Sequence, residues 1–459
     1  MAGIGFALRR LAQRGSLSAV VQGYGHAAFV TAGPWLFTVL CIGALQLVSR
    51  DVLARVDVAR FVVIGIYDFS FSLVLSGPIV LVLTRHLADS LFVEEPEKAP
   101  GMLAGGLVLL WTVQLIVGLP FAVFVLDLSI PERLLFLASF LLIGGIWLAC
   151  VFLSVLKSFE AISFAFALGM VVAFLAGAHL LGPFGATGAL TGFTLGLLVI
   201  LYALLGRILA EFPYPAVEPF AFLRAFPRYW ELACAGFLYN AAIWVDKWIM
   251  WLSPGGIEVA KGLRVHPAYD GSMFLAYLTI LPALILFLVS VETRFFERYV
   301  AFYRDVQNHA TLRQIQADHT ALLAVLAGGF RNLAVTQGVI CYLAVLVAPG
   351  LIGLAKGGLE LVPVFRFGVL GALFHTLLLF TLVLISYFDL RRLLLWTTLL
   401  FFVLNAGLTV AFIPFGPAFA GYGYFIASLV SLVVAYGALA RCLKRLPYLT
   451  FIANNPGLH

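Results

Sequence analysis

Tyr67-Asp68-Phe69-Ser70 opens one apolar run, and Tyr269-Asp270-Gly271-Ser272 opens another 202 positions later. Pro183-Phe184-Gly185 and Pro414-Phe415-Gly416 recur in the same way, 231 positions apart. On the hydropathy pattern the first pair falls at the second and eighth runs. The second pair falls between runs five and six and between runs eleven and twelve, and a longer loop after run eight accounts for the larger displacement. A duplicated six-helix unit within a membrane protein is the mark of a transporter whose halves rock around a central path. The two phrases therefore predict an all-α polytopic membrane protein, with twelve transmembrane helices in two pseudo-symmetric six-helix lobes around a central cavity.

Composition agrees. The residues AVILMFWYC make up 63% of 459 and DEKR only 11%, so the bilayer must be the solvent for most of the chain. Charge-poor runs of roughly 20 residues place spans at 27–49, 61–84, 101–125, 134–156, 161–181 and 187–206. The second half gives 230–252, 271–291, 333–352, 366–388, 393–413 and 422–440. With the N-terminus inside, 19 of the 28 Lys and Arg lie in inside segments, which places both termini in the cytoplasm. Arg9, Arg10 and Arg14 precede a run long enough to span, so no cleavable signal is expected. The five cysteines have no metal-type spacing and read as small packing residues.

The domain reading is an N-terminal lobe at 1–206, a cytoplasmic connector at 207–229, a C-terminal lobe at 230–445 and a tail at 446–459. The connector carries Pro213, Pro215, Pro219 and Pro227. The loop 292–331 stands apart, with Phe295, Phe296, Tyr299, Phe302 and Tyr303 at near-helical spacing among charges. It predicts an amphipathic continuation of span eight into the cytoplasm, either lying on the membrane or docking a partner.

No phosphate-binding G-x-x-x-x-G-K-[ST] loop, HExxH or CxxC pair occurs, so nucleotide hydrolysis by this chain, an enzyme function and a cofactor are not expected. No nucleic acid is expected as a partner. Ionisable residues inside spans are costly and mark function by default. Asp68 lies in span two, and Asp246 and Lys247 in span seven, where Trp244, Trp248 and Trp251 share a helical face. An aromatic stripe beside a carboxylate suits a sugar: rings stack on C–H faces and polar groups receive hydroxyls. The plainer reading is an interfacial aromatic belt, because Asp246 lies about 9 Å from the span's end by helical rise. Tyr67 and Arg85 complete the candidate pathway set, although Arg85 equally suits snorkelling at a helix end. His375 reads either as a proton relay or, more simply, as a histidine bonded to a neighbouring helix. Pro78 and Pro282, mid-span in the repeat, are a candidate hinge pair.

Several stretches resemble the Pel exopolysaccharide inner-membrane transporter family (PelG-like). They are Ala2-Gly3-Ile4-Gly5-Phe6 with Leu8-Arg9, Ala32-Gly33-Pro34-Trp35, Trp244-Val245-Asp246-Lys247-Trp248, and the stretch 269–303. The last contains Met273-Phe274-Leu275-Ala276-Tyr277-Leu278 and Val291-Glu292-Thr293. The glycines at 185, 188, 421 and 423 are similar to the wider flippase superfamily of polysaccharide, lipid-linked oligosaccharide and multidrug exporters. The resemblance implies translocation of an N-acetylgalactosamine-rich polymer across the bacterial inner membrane. It also implies a cytoplasmic glycosyltransferase, a membrane-bound cyclic-di-GMP receptor, an accessory membrane protein and membrane lipids as partners. It supplies no site residues. A cation-coupled multidrug or lipid-linked oligosaccharide exporter, and a noncatalytic membrane scaffold for the synthase, stay open as alternatives.

Overall fold

A computed structural model describes residues 17–49, 55–156, 158–290, 294–354, 358, 360–448 and 450–451. The basic opening with Arg9, Arg10 and Arg14, and the phrase Val291-Glu292-Thr293, lie outside the described residues. The helices are α1 Leu17–Ser49, α2 Arg55–Phe92, α3 Ala99–Pro120, α4 Ile130–Val155, α5 Phe159–Glu211 and α6 Trp230–Trp251. A small hairpin, β1 Ile257–Ala260 and β2 Leu263–Val265, follows. Then come α7 Pro267–Leu278, α8 Leu281–Ser290, α9 Phe296–Gln307, α10 Leu312–Leu354, α11 Leu361–Tyr387, α12 Arg391–Phe412 and α13 Tyr422–Lys444.

Among the described residues ten helices are long and apolar enough to cross a membrane. α5 is one of them and holds two spans, because Gly185 breaks it at φ 60° and ψ −138°. α6 carries Glu231, Asn240, Asp246 and Lys247, is too polar to count among the ten, and supplies the twelfth span. The outer faces are apolar. Ile116 on α3 and Val335 and Leu343 on α10 are all more than half exposed, as a lipid solvent requires.

The described chain forms two compact units, Ala32–Pro267 and Ala268–His459 with Met1–Thr31. In the first unit α4 starts on a capping box: Ser129 Oγ accepts from the Glu132 N–H, and the Glu132 carboxylate accepts from the Ser129 N–H at 3.0 Å. Glu132 also pairs with Arg60 Nη1 at 3.3 Å, tying α4 to α2. Past the Gly185 break the second arm of α5 returns along the first, with Gly192 against Gly177. The helix that heads the second half of the sequence repeat, α6, packs on α2 within this unit.

The connector is docked on α3. Its 3₁₀ turn Ala221–Ala225 buries Phe222 completely, and the carbonyls of Val217 and Pro219 lie directly over Gly101 and Gly105. The hairpin pairs Ile257 with Val265 and Glu258 with Arg264, turning at Gly262 with φ +86°.

In the second unit α11 is the most enclosed helix, packed on α13 and α10. Pro414-Phe415-Gly416 again ends a span, with Gly416 at φ +96° and ψ 173°. Both copies of the repeated phrase thus place glycine where side-chain-bearing residues are strained. In the loop 292–331 the described residues form α9 at Phe296–Gln307 and the start of α10, which begins at Leu312 and runs through span nine. The expected continuation of span eight into α9 falls on 291–293, outside the described residues. His309 at φ +53° makes the turn, and Thr311 Oγ1 caps α10 by accepting from the Gln314 N–H at 3.3 Å.

Candidate functional site

Residues four apart on α2 share a face, and two such faces do different work. Tyr67 and Phe71 meet α6. Tyr67 stacks on Trp251 at 4.8 Å and 15°, and Phe71 on Trp248 at 4.9 Å and 3°. Phe121 lies on Tyr67 at 6.2 Å. The phenol of Tyr67 donates to the Arg264 carbonyl at 3.1 Å and accepts from the Arg264 N–H at 3.0 Å. Arg264 Nε in turn donates to the Trp251 carbonyl at 3.2 Å, so the hairpin closes over the ladder's end. In the same loop Gly255 leaves room for the His266 ring, and burial pushes the imidazole below its usual value.

Asp68 and Ser72 occupy the other face, against α4. Ser139 Oγ donates to Asp68 Oδ2, and Trp147 Nε1 donates to Ser72 Oγ at 3.2 Å. Asp68 is fully buried, and among the described residues its Oδ1 has no hydrogen-bond partner. The structure therefore brings Tyr67 and Trp248 into one ladder and turns Asp68 away from it.

On α6, Lys247 Nζ lies 3.1 Å from both carboxylate oxygens of Asp246 and donates to the Ile243 carbonyl at 3.0 Å. It also sits 5.9 Å from the centre of the Trp244 ring. Asp246 is fully enclosed and Lys247 nearly so, whereas Trp244 is half-buried. This is a self-compensated ion pair, the form in which charges persist inside a span. Of the tryptophans, Trp248 and Trp251 each have one ring face covered by α2.

Arg85 is set apart at the far end of α2. It pairs with Asp89 at 3.2 Å, while the Tyr229 phenol donates to the same carboxylate and the guanidinium lies 5.9 Å from that ring. The two prolines differ. α2 continues through Pro78, and Asn240 Nδ2 donates to the Leu73 carbonyl at 2.8 Å, one residue before the carbonyl that Pro78 leaves without a donor. Pro282 instead follows a break at 279–280 and starts α8.

In the second unit the aromatic stripe of α9 is covered by its own chain. Phe295 and Phe302 are buried, Phe295 lies 5.1 Å from Tyr387, and Tyr299 donates to the Tyr387 carbonyl at 3.1 Å. Tyr303 lies 4.7 Å from Tyr299, and burial pushes its phenol up to about 12. Phe296, by contrast, is only half-buried. His375 Nδ1 is 2.8 Å from the Tyr424 phenol, a bond to the neighbouring helix.

Among the described residues no group of three or more His, Cys, Asp or Glu could hold a metal ion. Ser139, Trp147, Arg264 and Asn240 are missing from the sequence-derived set. Each is an ordinary residue made important by a partner 71 to 197 positions away, a relation that local spacing does not carry.

A family model described as "PelG: Putative exopolysaccharide Exporter (EPS-E)" matches residues 1–451. No curated protein matches the chain. Among solved structures, an outward-facing multidrug resistance MATE family transporter of the MOP superfamily is similar at TM-score 0.67 and 13% identity, covering 93% of this chain and 96% of that one. A MATE solved in complex with MaL6 is similar at 0.66 and 13%, with the same coverage. A MOP superfamily transporter from Pyrococcus furiosus gives 0.64 and 13%, covering 92% and 96%. At that identity the likeness is one of fold.

Proposed function

Because the chain belongs to the PelG exopolysaccharide-exporter family, we propose that it carries a nascent N-acetylgalactosamine-rich polymer across the bacterial inner membrane to the periplasm. One observation carries this reading: the family match runs from residue 1 to 451 of a chain with transporter architecture. Both termini lie in the cytoplasm on this reading. Polymer extension by a cytoplasmic glycosyltransferase supplies the force, within a complex that includes a cyclic-di-GMP receptor and an accessory membrane protein. The chain uses no nucleotide of its own.

Within the first unit the supporting geometry is a rigid α2–α6 pair, held by the Tyr67–Trp251 and Phe71–Trp248 stacks. Polymer contact falls to Trp244, with the Asp246–Lys247 pair beside it as hydroxyl partners. Tyr67, Trp248 and Asp68 brace this surface, and Arg85 anchors the connector through Asp89 and Tyr229. Partner docking on α9 uses its exposed face, which carries Arg298, Val300 and Arg304, because the opposite face is covered.

The test is polymer translocation into sealed vesicles holding this chain, with and without the glycosyltransferase and its sugar nucleotide. Glycosidase-protected polymer that needs both active synthesis and this chain is the expected result. Polymer that stays accessible to glycosidase while its synthesis still requires the chain would instead establish a scaffold.

A further inference from the structure

In the second unit a cleft of about 280 Å³ opens beside α10, where Arg294, just before α9, faces Arg331 and Asn332. Gly328 and Gly329 form its floor, and a side chain at Gly328 would meet nothing within 4 Å. Among the described residues neither guanidinium has a carboxylate partner, although Arg60, Arg85 and Arg207 do. These two guanidiniums and the amide, around an open floor, present only side-chain donors toward the same space, apart from the Asn332 carbonyl. Such a set is complementary to the oxygens of a phosphate group, which arginine engages in a bidentate fork.

The surroundings of the cleft identify what carries that phosphate. Arg331 and Asn332 interrupt the apolar sequence of α10, which resumes at Leu333. Val335, Val339 and Leu343 continue its helical face at intervals of four, and all three are more than half exposed. A charged mouth that leads onto an uncovered apolar stripe matches an amphiphile with its phosphate at the mouth and its acyl chain along the stripe.

We propose that Arg294, Arg331 and Asn332 bind the phosphate of an anionic phospholipid headgroup, whose acyl chain lies along Val335, Val339 and Leu343. The site holds one lipid in place at the end of span nine.

The experiment is native mass spectrometry of the full chain, released from detergent with phosphatidylglycerol, with phosphatidylcholine or with inorganic phosphate alone. Retained phosphatidylglycerol in excess of phosphatidylcholine is expected, with retention reduced by about tenfold or more in Arg294→Gln/Arg331→Gln. Gly328→Leu keeps both charges and fills the cleft, and should lose the lipid equally while circular dichroism and abundance stay unchanged. Retention of inorganic phosphate without phosphatidylglycerol overturns the lipid assignment. Equal lipid retention by the native chain and both variants overturns the site.

Discussion

Gly77 and Gly236 bring the backbones of α2 and α6 into contact: a Cβ on Gly77 would stand 2.6 Å from the Gly236 carbonyl oxygen. The aromatic ladder depends on that approach, since Tyr67–Trp251 and Phe71–Trp248 span the same pair of helices. Gly236→Val should force the helices apart and cost about 1–3 kcal/mol, as overpacking does. Thermal unfolding followed by tryptophan fluorescence reads the loss. Gly43→Ala is the control, because a side chain there meets nothing within 4 Å. Equal stability of the two variants would refute the close-packing account.

Asp68 is expected to act as a brace. Its carboxyl is enclosed and held by Ser139. Asp68→Asn preserves shape and the acceptor for Ser139, so export per molecule should stay near the native level. Asp68→Leu removes the carboxylate acceptor, while the Ser139 hydroxyl keeps the Leu135 carbonyl at 2.7 Å, so stability should fall by about 0.5–1.5 kcal/mol, the net value of one hydrogen bond, and abundance with it. Loss of export in Asp68→Asn at normal abundance would show instead that the proton on this carboxyl is used in transport.

The hairpin loop should loosen in acid. Burial holds His266 below its ordinary value of 6.5, so the folded loop prefers the neutral ring. That preference stabilises the loop above pH 6.5, and the contribution is lost as the pH falls through the lower folded value. Limited proteolysis at 253–266 should therefore quicken below about pH 6 and show no such dependence in His266→Phe. A pH profile unchanged by the substitution would place the titrating group elsewhere.

The spans and the repeat were legible because the bilayer demands long apolar runs, and because a span ending at Pro183-Phe184-Gly185 or Pro414-Phe415-Gly416 needs glycine at positive φ. Pairings were not. Nothing near Tyr67 announces Arg264, 197 positions on, and nothing in the α9 stripe says that Tyr387 and Phe388 will cover it. An amphipathic pattern shows that a face is covered without showing by what. The same limit applies to Asp68: intramembrane placement identified a costly group, while its direction depended on the register of α2 against α4.

Connector docking has its own test. A Cβ on Gly105 would collide with the Pro219 carbonyl, and one on Gly101 with that of Val217. Gly105→Leu should lift the segment 212–229 and free the backbone around Arg224 and Arg228, whose side chains are already exposed, for cleavage by trypsin, without unfolding the membrane helices. The expected readout is cleavage in membranes at least about tenfold faster, the change that weakening a local closure by 1.4 kcal/mol produces. Unchanged cleavage would mean that the buried Phe222 alone holds the connector.

Trp244 and Trp248 separate substrate contact from packing. Trp248, itself half-buried, stacks on Phe71 almost parallel, so Trp248→Ala uncovers that ring and should lower abundance. Trp248→Phe keeps a ring on Phe71 and should restore it. Trp244 is half-buried, with the Lys247 ammonium over its ring. Trp244→Ala should leave abundance near normal and reduce export per molecule severalfold, while Trp244→Phe keeps a face for sugar stacking and recovers part of it. Lys247→Met leaves Asp246 without its counter-charge inside the span and should fail mainly in abundance. Lys247→Met combined with Asp246→Asn removes both charges, should regain the fold, and then reports the pair's contribution to export. Native export by the double variant and by Trp244→Ala, at native abundance, would remove α6 from the polymer's path.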